Sequence, residues 1–410
     1  MFFRSLATFA LIVVAGCSTL PAPSHDTHLR GSSLDRRVTD LMGAAKVPGL
    51  AVAIIENGRV VSVKAYGMRD TAKQLPLTSD TVMYAASLTK AAFSYATMML
   101  ADGGRLDLDT SIANDLPKPL PEYGKYADLA GDARWKALTF GILLSHRSGF
   151  ANFRFWPPGK DYDPNGKLMF YFAPGTRYAY SGEGINLAQF VLEHGKGIDV
   201  GTLMRERLFK PFDMPRTSMT WRDDFAQNVA IGYDEDGKPL GHKQRESVRA
   251  AGSMDTTISD YANLLAAMVR GDGLSPAMHR HWLTPVVSIR SVRQFPTIGV
   301  PDSNDNDSIA LGYALGIGTF TSPQGPAFFK DGHDDGTNNV AVCIESSKDC
   351  VLLMSNSSNA ESIFPYLIDD VLGKTCFPWY WDGYIPYDHP EWRTSKAVVD
   401  QHPACSLPNR

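Results

Sequence analysis

Hydrophobic positions change their spacing several times along the chain, and each change predicts a different element. Residues 49–67 contain two β-rich runs on either side of Asn57-Gly58, a dipeptide typical of tight hairpin turns. Residues 87–101 form a long apolar run with almost no charge after Lys90, which is typical of a buried helix. Apolar residues recur at helical spacing over 34–46 and 362–374, and strand-like runs lie at 309–320, 338–346 and 350–355.

Strand-rich segments therefore stand at both ends of the chain, and the stretch between them, 102–245, is helical and rich in Pro and Gly breaks. This order predicts one α/β domain that is interrupted by a helical insertion. The expected parts are a sheet domain formed by 34–85 and 246–375, a helical domain over 86–245, and a C-terminal aromatic tail over 376–410.

The first residues have the pattern of an export signal. Arg4 precedes an apolar core, residues 5–16, which is shorter than a membrane-spanning helix requires and fits a secretory signal peptide. The tetrapeptide VAGC, which ends at Cys17, resembles a bacterial lipobox. We therefore expect residues 1–16 to be a lipoprotein signal peptide and Cys17 to carry the lipid. A plain signal peptide with an incidental cysteine is the alternative.

Residues 17–33 follow this signal and are rich in Pro and Ser, which predicts a flexible tether. A lipidated cysteine on such a tether anchors a protein to a membrane without spanning it. The expected location is the periplasm, with the anchor in a bacterial membrane, the outer one being preferred.

Composition excludes several functional classes. The 410 residues are 44% hydrophobic and 20% charged, as in ordinary globular proteins, and a net charge of -4 provides no basic surface for nucleic acid. The chain lacks Gly-x-Gly-x-x-Gly, the P-loop and H-E-x-x-H, and residues 333–339 (HDDGTNN) fit a polar turn better than a metal cluster. We therefore expect no cofactor, no metal and no nucleic-acid partner.

The four cysteines after Cys17 fit an oxidising compartment. Two apolar strand-like runs flank a polar turn, and a two-residue loop at 346–347 places Cys343 opposite Cys350. A cross-strand disulfide is expected there, and by elimination Cys376 is expected to join Cys405. Free buried thiols are the alternative, because spacing alone does not fix the pairing.

A serine stands three positions before a lysine at the predicted start of the buried helix, in the segment Ser87-Leu88-Thr89-Lys90. Positions i and i+3 share one face of a helix, so Lys90 can reach the Ser87 hydroxyl and act as the base that a serine nucleophile needs. Burial disfavours the ammonium form of Lys90, and the Ser87 N–H is suited to half of an oxyanion hole. The alternative is a helix cap followed by a surface charge, and the motif alone does not decide between them.

Two further sequence motifs accompany the Ser-x-x-Lys motif. Tyr180-Ser181-Gly182 stands just before a predicted helix, and Lys330-Asp331-Gly332 stands at a strand that enters the cysteine hairpin. Ser-x-x-Lys, a tyrosine or serine element and Lys-Thr-Gly form, in this order, the motif set of β-lactamases and penicillin-binding proteins. Over residues 34–372 the chain resembles the serine β-lactamase and DD-peptidase superfamily, and within it the class C β-lactamase-related branch that also holds carboxylesterases and D-aminopeptidases. The resemblance implies an antiparallel β-sheet flanked by helices, with a large all-helical insertion.

The resemblance also implies roles for single residues. Ser87 matches the acylated nucleophile and Lys90 its base. Tyr180 matches the tyrosine that passes a proton to the leaving group and activates the deacylating water. Lys330 matches the cation that keeps this tyrosine in the right state and attracts a substrate carboxylate.

Around these four residues, the resemblance assigns the oxyanion hole and the substrate contacts. The His333 N–H is expected to complete the oxyanion hole with the nucleophile's own N–H, and Gly332 to leave room for substrate alongside the strand. Gly182 departs from the family's Asn, and Glu183 after it is expected either to replace part of a charge network or to cap the following helix. Asp331 departs from the usual Thr or Ser and adds a negative charge beside the substrate path.

The function implied by the resemblance is hydrolysis of esters, or of D-amino-acid amide or peptide bonds, through an acyl-enzyme on Ser87. A class C-like β-lactamase is the second interpretation, and a non-catalytic penicillin-recognising or peptidoglycan-binding protein is the third. The expected partners are a small-molecule ester, D-peptide or β-lactam substrate and, through the lipid anchor, a membrane.

Overall fold

The structure, a computed structural model, describes residues 28–393; the predicted signal peptide, Cys17 and Cys405 lie outside them. The helices are α1 (Gly31–Ala45), α2 (Leu88–Asp102), α3 (Phe140–Leu144), α4 (Gly182–Gly195), α5 (Val200–Met204), α6 (Ile258–Arg270), α7 (Pro276–Leu283), α8 (Phe364–Leu372) and α9 (Trp379–Asp382). The strands are β1 (Gly49–Glu56), β2 (Arg59–Asp70), β3 (Leu75–Pro76), β4 (Met83–Tyr84), β5 (Gly232–Tyr233), β6 (Pro239–Gly241), β7 (Asp255–Thr256), β8 (Val287–Ser288), β9 (Gly312–Tyr313), β10 (Gly318–Ser322), β11 (Gly325–Asp334), β12 (Thr337–Ile344) and β13 (Asp349–Ser355).

One antiparallel sheet of nine strands dominates the fold, in the order β3-β2-β1-β13-β12-β11-β10-β9-β8. The first and last parts of the chain therefore meet in its centre, where β1 pairs with β13. Both faces of β1 are covered, and its alternate residues enter two separate cores. One core takes Ala51, Ala53 and Ile55, and the other takes Leu50, Val52 and Ile54.

Helices cover both faces of this sheet. Leu34 of α1 and Leu367 of α8 belong to one core, and Phe93 of α2 and Leu264 of α6 belong to the other. The predicted fold, an antiparallel sheet flanked by helices, is confirmed. The insertion is not entirely helical, because the short hairpin of β5 and β6 lies within it. Strands of two or three residues carry too little periodicity to be predicted from sequence.

Two hairpins form where the sequence places them. Asn57 and Gly58 connect β1 to β2 with φ angles of 51° and 72°, the pair of positive values that a type I′ turn requires. Cys343 of β12 pairs directly with Cys350 of β13, and a disulfide joins them. Cys376 is disulfide-bonded as well. Its pairing with Cys405 stays a prediction, since Cys405 lies outside the described residues.

The site is positioned by the meeting of α2 and β11. Pairing of β11 with β10 ends at Phe329, so residues 330–334 leave one strand edge uncovered by β10. The start of α2 lies against this edge, close to Gly332. Between residues 28 and 393, no helix is both long and apolar enough to cross a bilayer.

Candidate active site

Ser87 lies at the entrance to α2, on a sharp turn. The residue before it, Ala86, has a left-handed backbone with a φ of 46°, which is unfavourable for a residue with a side chain. The Ala86 carbonyl accepts hydrogen bonds from the N–H of Thr89 at 3.2 Å and from its hydroxyl at 2.6 Å. These bonds hold the strained turn, which presents Ser87 to the cavity described below.

Lys90 lies one helical turn further on and is fully buried behind Ser87. Its Nζ is 2.7 Å from Ser87 Oγ and 2.5 Å from the carbonyl oxygen of Ala251. Burial holds the pKa of Lys90 well below its ordinary value, and the nearby charge of Lys330 lowers it further. A neutral amine in this position can accept the Ser87 proton, as the i, i+3 spacing predicts.

Tyr180 stands beside both lysines. The Nζ atoms of Lys90 and Lys330 each lie 5.0 Å from the centroid of its ring. Its hydroxyl is buried and interacts with Ser87, but it makes no hydrogen bond of normal geometry with any residue between 28 and 393. Burial, followed by the charge of Asp331, raises the pKa of Tyr180 well above its ordinary value. The group is therefore a neutral phenol, which can donate a proton.

His146 packs against Tyr180 from behind, although none of the three sequence motifs includes it. The two rings lie 4.2 Å apart, and His146 Nδ1 accepts a hydrogen bond of 3.1 Å from the Ser181 N–H. Burial holds the pKa of His146 well below its ordinary value, and the two lysines lower it further. A neutral, fixed imidazole at this point orients the tyrosine without adding charge.

Lys330 and Asp331 form a buried ion pair. Lys330 Nζ donates to Asp331 Oδ1 at 2.6 Å and to the Asp331 carbonyl at 2.9 Å, and the two side chains are only 3% and 5% exposed. Burial alone would lower the pKa of Lys330 and raise that of Asp331, but their mutual attraction exceeds both effects and keeps the pair ionised. Lys330 thus has a partner inside the protein, which weakens its implied role of attracting a substrate carboxylate.

A third charged residue, Asp382 at the end of α9, approaches this pair from the C-terminal segment. Burial raises the pKa of Asp382 well above its ordinary value, and the negative charge of Asp331 raises it further. Its carboxyl oxygens are buried without a hydrogen bond of normal geometry to residues 28–393, although Tyr384 interacts with it. These effects favour the protonated form of Asp382 behind the ion pair, and no sequence motif points to this residue.

The structure gives a packing reason for Gly332. A Cβ at this position would lie 2.5 Å from the Ala85 carbonyl and 3.1 Å from the Leu88 N–H. The glycine is therefore needed because β11 and the start of α2 approach each other closely on the side where a Cβ would stand. Its predicted contact with substrate along the open strand edge stays a prediction. The next residue, His333, has an exposed side chain that bonds to Glu361 at 3.1 Å. Participation of its N–H in an oxyanion hole stays a prediction.

Gly182 is the first residue of α4, and its missing side chain has a local cause. Its N–H donates to Asn152 Oδ1 at 2.9 Å. A Cβ on Gly182 would lie 2.8 Å from the Phe153 ring and 3.1 Å from Asn152. An asparagine side chain at 182 would therefore require Phe153 to move, and Asn152 is the amide that lines the cavity at this point.

Glu183 follows neither of its two predicted roles. The helix is capped by Ser181, whose hydroxyl accepts the Gly184 N–H at 3.0 Å. Glu183 instead accepts hydrogen bonds of 2.9 and 3.0 Å from the guanidinium of Arg154, and both side chains are mostly buried. This bidentate pair fixes the loop after α3 against α4. Side-chain partners about thirty positions apart cannot be inferred from sequence spacing.

A cavity of about 1480 Å³ opens over these groups. Ser87, Tyr180 and Asp331 line it, whereas Lys90 and Lys330 lie behind its wall. The pocket therefore presents a nucleophile, a phenol and a carboxylate, with both lysines shielded. Charged side chains form much of the remaining wall: Lys125, Asp128, Arg154, Glu183, Glu193, Lys243, Arg245, Glu246 and Arg249.

Curated proteins of known description are similar to this chain in sequence. Among curated proteins, the chain is 23% identical over 390 residues to an unguisins hydrolase of Aspergillus violaceofuscus, covering 86% of this chain and 66% of that longer protein. It is 25% identical over 290 residues to a β-lactamase of Escherichia coli (67% and 72% covered), and 25% identical over 341 residues to penicillin-binding protein 4 of Amycolatopsis lactamdurans (80% and 86% covered).

Solved structures show the same fold. The octameric penicillin-binding protein homologue of Pyrococcus abyssi matches with a TM-score of 0.66 and 21% identity, over 84% of this chain and 77% of that one. The D-alanine carboxypeptidase AmpC of Burkholderia cenocepacia matches with a TM-score of 0.64 and 19% identity, over 83% and 97%. A family model described as Beta-lactamase matches residues 34–371, almost the whole described chain. The chain therefore belongs to the β-lactamase family, within the superfamily of serine hydrolases.

Proposed function

We propose that this protein hydrolyses carboxylic esters through an acyl-enzyme on Ser87 and prefers substrates that carry no carboxylate next to the scissile bond. Lys90 is the base, Tyr180 is the proton donor to the leaving group, and the N–H groups of Ser87 and His333 bind the oxyanion. Neutral D-amino-acid amides are the second substrate class that this chemistry admits.

The acylation step uses the protonation states that burial creates. Ser87 Oγ attacks the carbonyl carbon, its proton passes to the neutral Lys90 Nζ 2.7 Å away, and the carbonyl oxygen becomes an oxyanion. When the intermediate collapses, the bond to the leaving group breaks, and Tyr180 gives the alkoxide its proton. The Lys90 ammonium then returns a proton to Tyr180, so both groups regain their starting state.

Deacylation repeats these steps with water. A water molecule attacks the Ser87 ester and its proton passes to the same base system, while the Ser87 oxygen leaves and is protonated again. The acid product carries the added hydroxyl, and the enzyme is unchanged.

One observation carries the preference for neutral substrates, namely the Lys330–Asp331 ion pair. Asp331 lines the cavity and Lys330 does not. A substrate carboxylate would therefore meet a carboxylate first, and the cation behind it is already paired at 2.6 Å. Penicillins, cephalosporins and peptides with a free C-terminus all carry such a carboxylate, whereas simple esters do not. The geometry therefore favours an esterase over a β-lactamase or a carboxypeptidase.

A matched pair of esters tests the proposal. We expect 3-carbamoylphenyl butyrate to be cleaved with a kcat/KM about tenfold above that of 3-carboxyphenyl butyrate, because a carboxylate without a partner loses hydration worth ~1–3 kcal/mol. Mass spectrometry is expected to find one butyryl group on the peptide that contains Ser87. Faster cleavage of the carboxylate ester, or hydrolysis of nitrocefin faster than of either ester, contradicts the proposal.

The location of the protein is a separate proposal, which rests on the sequence alone. We propose that Cys17 is lipidated and anchors the protein to a membrane on the periplasmic side. In bacteria that express the full chain, Cys17→Ser is expected to move the protein from the membrane pellet to the soluble fraction, because the acyl chains are lost. Ser18→Ala is the matched control and is expected to stay in the pellet. Equal pelleting of the Cys17→Ser protein contradicts lipidation.

A further inference from the structure

Exposed aromatic side chains gather in one place on this molecule. Among residues 28–393, the most exposed large aromatic side chains all lie on two loops, 151–162 and 295–298. Trp156 is 58% exposed and Phe295 is 43% exposed. Clustered exposed apolar residues are rare on a monomer surface and mark a binding site more often than scattered ones. The members are Phe153, Phe155, Trp156, Tyr162 and Phe295.

The two loops face each other across a groove of about 570 Å³. Trp156 and Pro158 line one wall, and Phe295 and Ile298 line the other. Tyr180 also lines the groove, with its ring 5.0 Å from Phe295 in an edge-on arrangement. A volume of this size is typical of pockets that hold small organic ligands.

The groove adjoins the catalytic cavity and shares part of its wall. Asn152, Phe153, Tyr180 and Phe295 line both spaces, so a substrate at Ser87 can extend directly into the groove. The wall on the side of 151–162 is preformed, because the mostly buried ion pair of Arg154 with Glu183 fixes that loop. A fixed wall needs little ordering on binding, which favours affinity.

We propose that this groove binds an apolar alkyl or aryl substituent on the leaving-group side of the substrate. The side is assigned from Tyr180, since the residue that protonates the leaving group also lines the groove. The inference rests on the proposed ester hydrolysis and adds the substrate class: esters of apolar alcohols, held by Trp156 and Phe295. Rings and aliphatic carbon form most of the lining, which also includes Lys160 and Asp161. The occupant therefore gains mainly from leaving water.

Alkyl butyrates with alcohols of increasing length test this proposal, with release of butyric acid measured by titration. From ethyl to hexyl butyrate, kcat/KM of the wild type is expected to rise about threefold to fourfold per methylene that enters the groove. Trp156→Ala is expected to remove most of this rise while it changes ethyl butyrate cleavage less than about twofold. Val61→Ala, which removes a similarly exposed apolar side chain outside the groove, is the control and is expected to keep the full rise.

Binding to the Ser87→Ala protein separates this proposal from the catalytic one. Calorimetry is expected to show tighter binding of hexyl than of ethyl butyrate, and this difference is expected to vanish in Ser87→Ala/Trp156→Ala. Identical chain-length dependence with and without Trp156 overturns the groove proposal. The proposal is also overturned if Trp156→Ala changes only the dependence of kcat/KM on the length of the acyl chain, and not on the length of the alcohol. It is overturned as well if Trp156→Ala changes only the binding of the protein to lipid vesicles. Continued cleavage by Ser87→Ala overturns the assignment of the nucleophile instead.

Discussion

Lys90→Ala is expected to lower the rate of Ser87 acylation by about 10²- to 10⁴-fold, the usual contribution of a positioned general base. The reason is geometric and electrostatic together. Lys90 Nζ lies 2.7 Å from Ser87 Oγ, and burial keeps its pKa well below the ordinary value, which favours the neutral amine. His146 does not take this role, because it lies behind Tyr180 and accepts a hydrogen bond from the Ser181 N–H.

Single-turnover kinetics with p-nitrophenyl butyrate measure this loss, with Ser87→Ala as the variant that abolishes acylation. Lys136→Ala is the matched control, since Lys136 is exposed and does not line the catalytic cavity. Its acylation rate is expected to equal that of the wild type. In the wild type only the unprotonated Lys90 is active, so kcat/KM is expected to fall as the pH drops through the depressed pKa of this lysine. A Lys90→Ala protein with the same acid limb and rate as the wild type rules out Lys90 as the base.

The start of α2 and the disulfide hairpin could be predicted because each depends on residues close in sequence. Ser87 and Lys90 are one helical turn apart, and Cys343 and Cys350 are held in register by the turn between their strands. The β-rich run before the Asn57-Gly58 turn likewise predicted β1, whose two faces enter two cores. Hydrophobic periodicity and turn chemistry depend only on residues that are close in sequence, so they can be recognised without knowledge of the tertiary structure.

The partners of the charged residues could not be predicted in this way. Glu183 binds Arg154, and Asp382 reaches the ion pair from a segment beyond the region that resembles the family. Such contacts join distant parts of the chain, and sequence spacing carries no information about them. The reason for Gly332 was missed for the same cause, because only the fold brings Ala85 against β11.

Asp331→Thr is expected to lower the stability of the protein, because it removes one member of a buried ion pair. A buried charge left without its partner typically costs about 3–5 kcal/mol, a large share of the ~5–15 kcal/mol by which proteins of ordinary stability are folded. Thermal unfolding is therefore expected to occur at a lower temperature. A threonine side chain adds no charge to the cavity wall, so Lys330 becomes available to a substrate carboxylate unless another carboxyl group of the protein pairs with it.

The change in substrate preference caused by Asp331→Thr depends on Asp382. The charge of Asp331 is one reason that the pKa of Asp382 is raised. Once Asp331 is removed, the pKa of Asp382 falls, and its carboxylate can replace Asp331 as the partner of Lys330. The single variant is therefore expected to shift the preference for 3-carboxyphenyl over 3-carbamoylphenyl butyrate only slightly. Asp331→Thr/Asp382→Asn leaves Lys330 without a carboxylate partner and is expected to shift it by about 10- to 100-fold, as for a hydrogen bond to a charged group. If the folded double variant keeps the wild-type ratio of the two esters, the ion pair does not set the charge preference of the site.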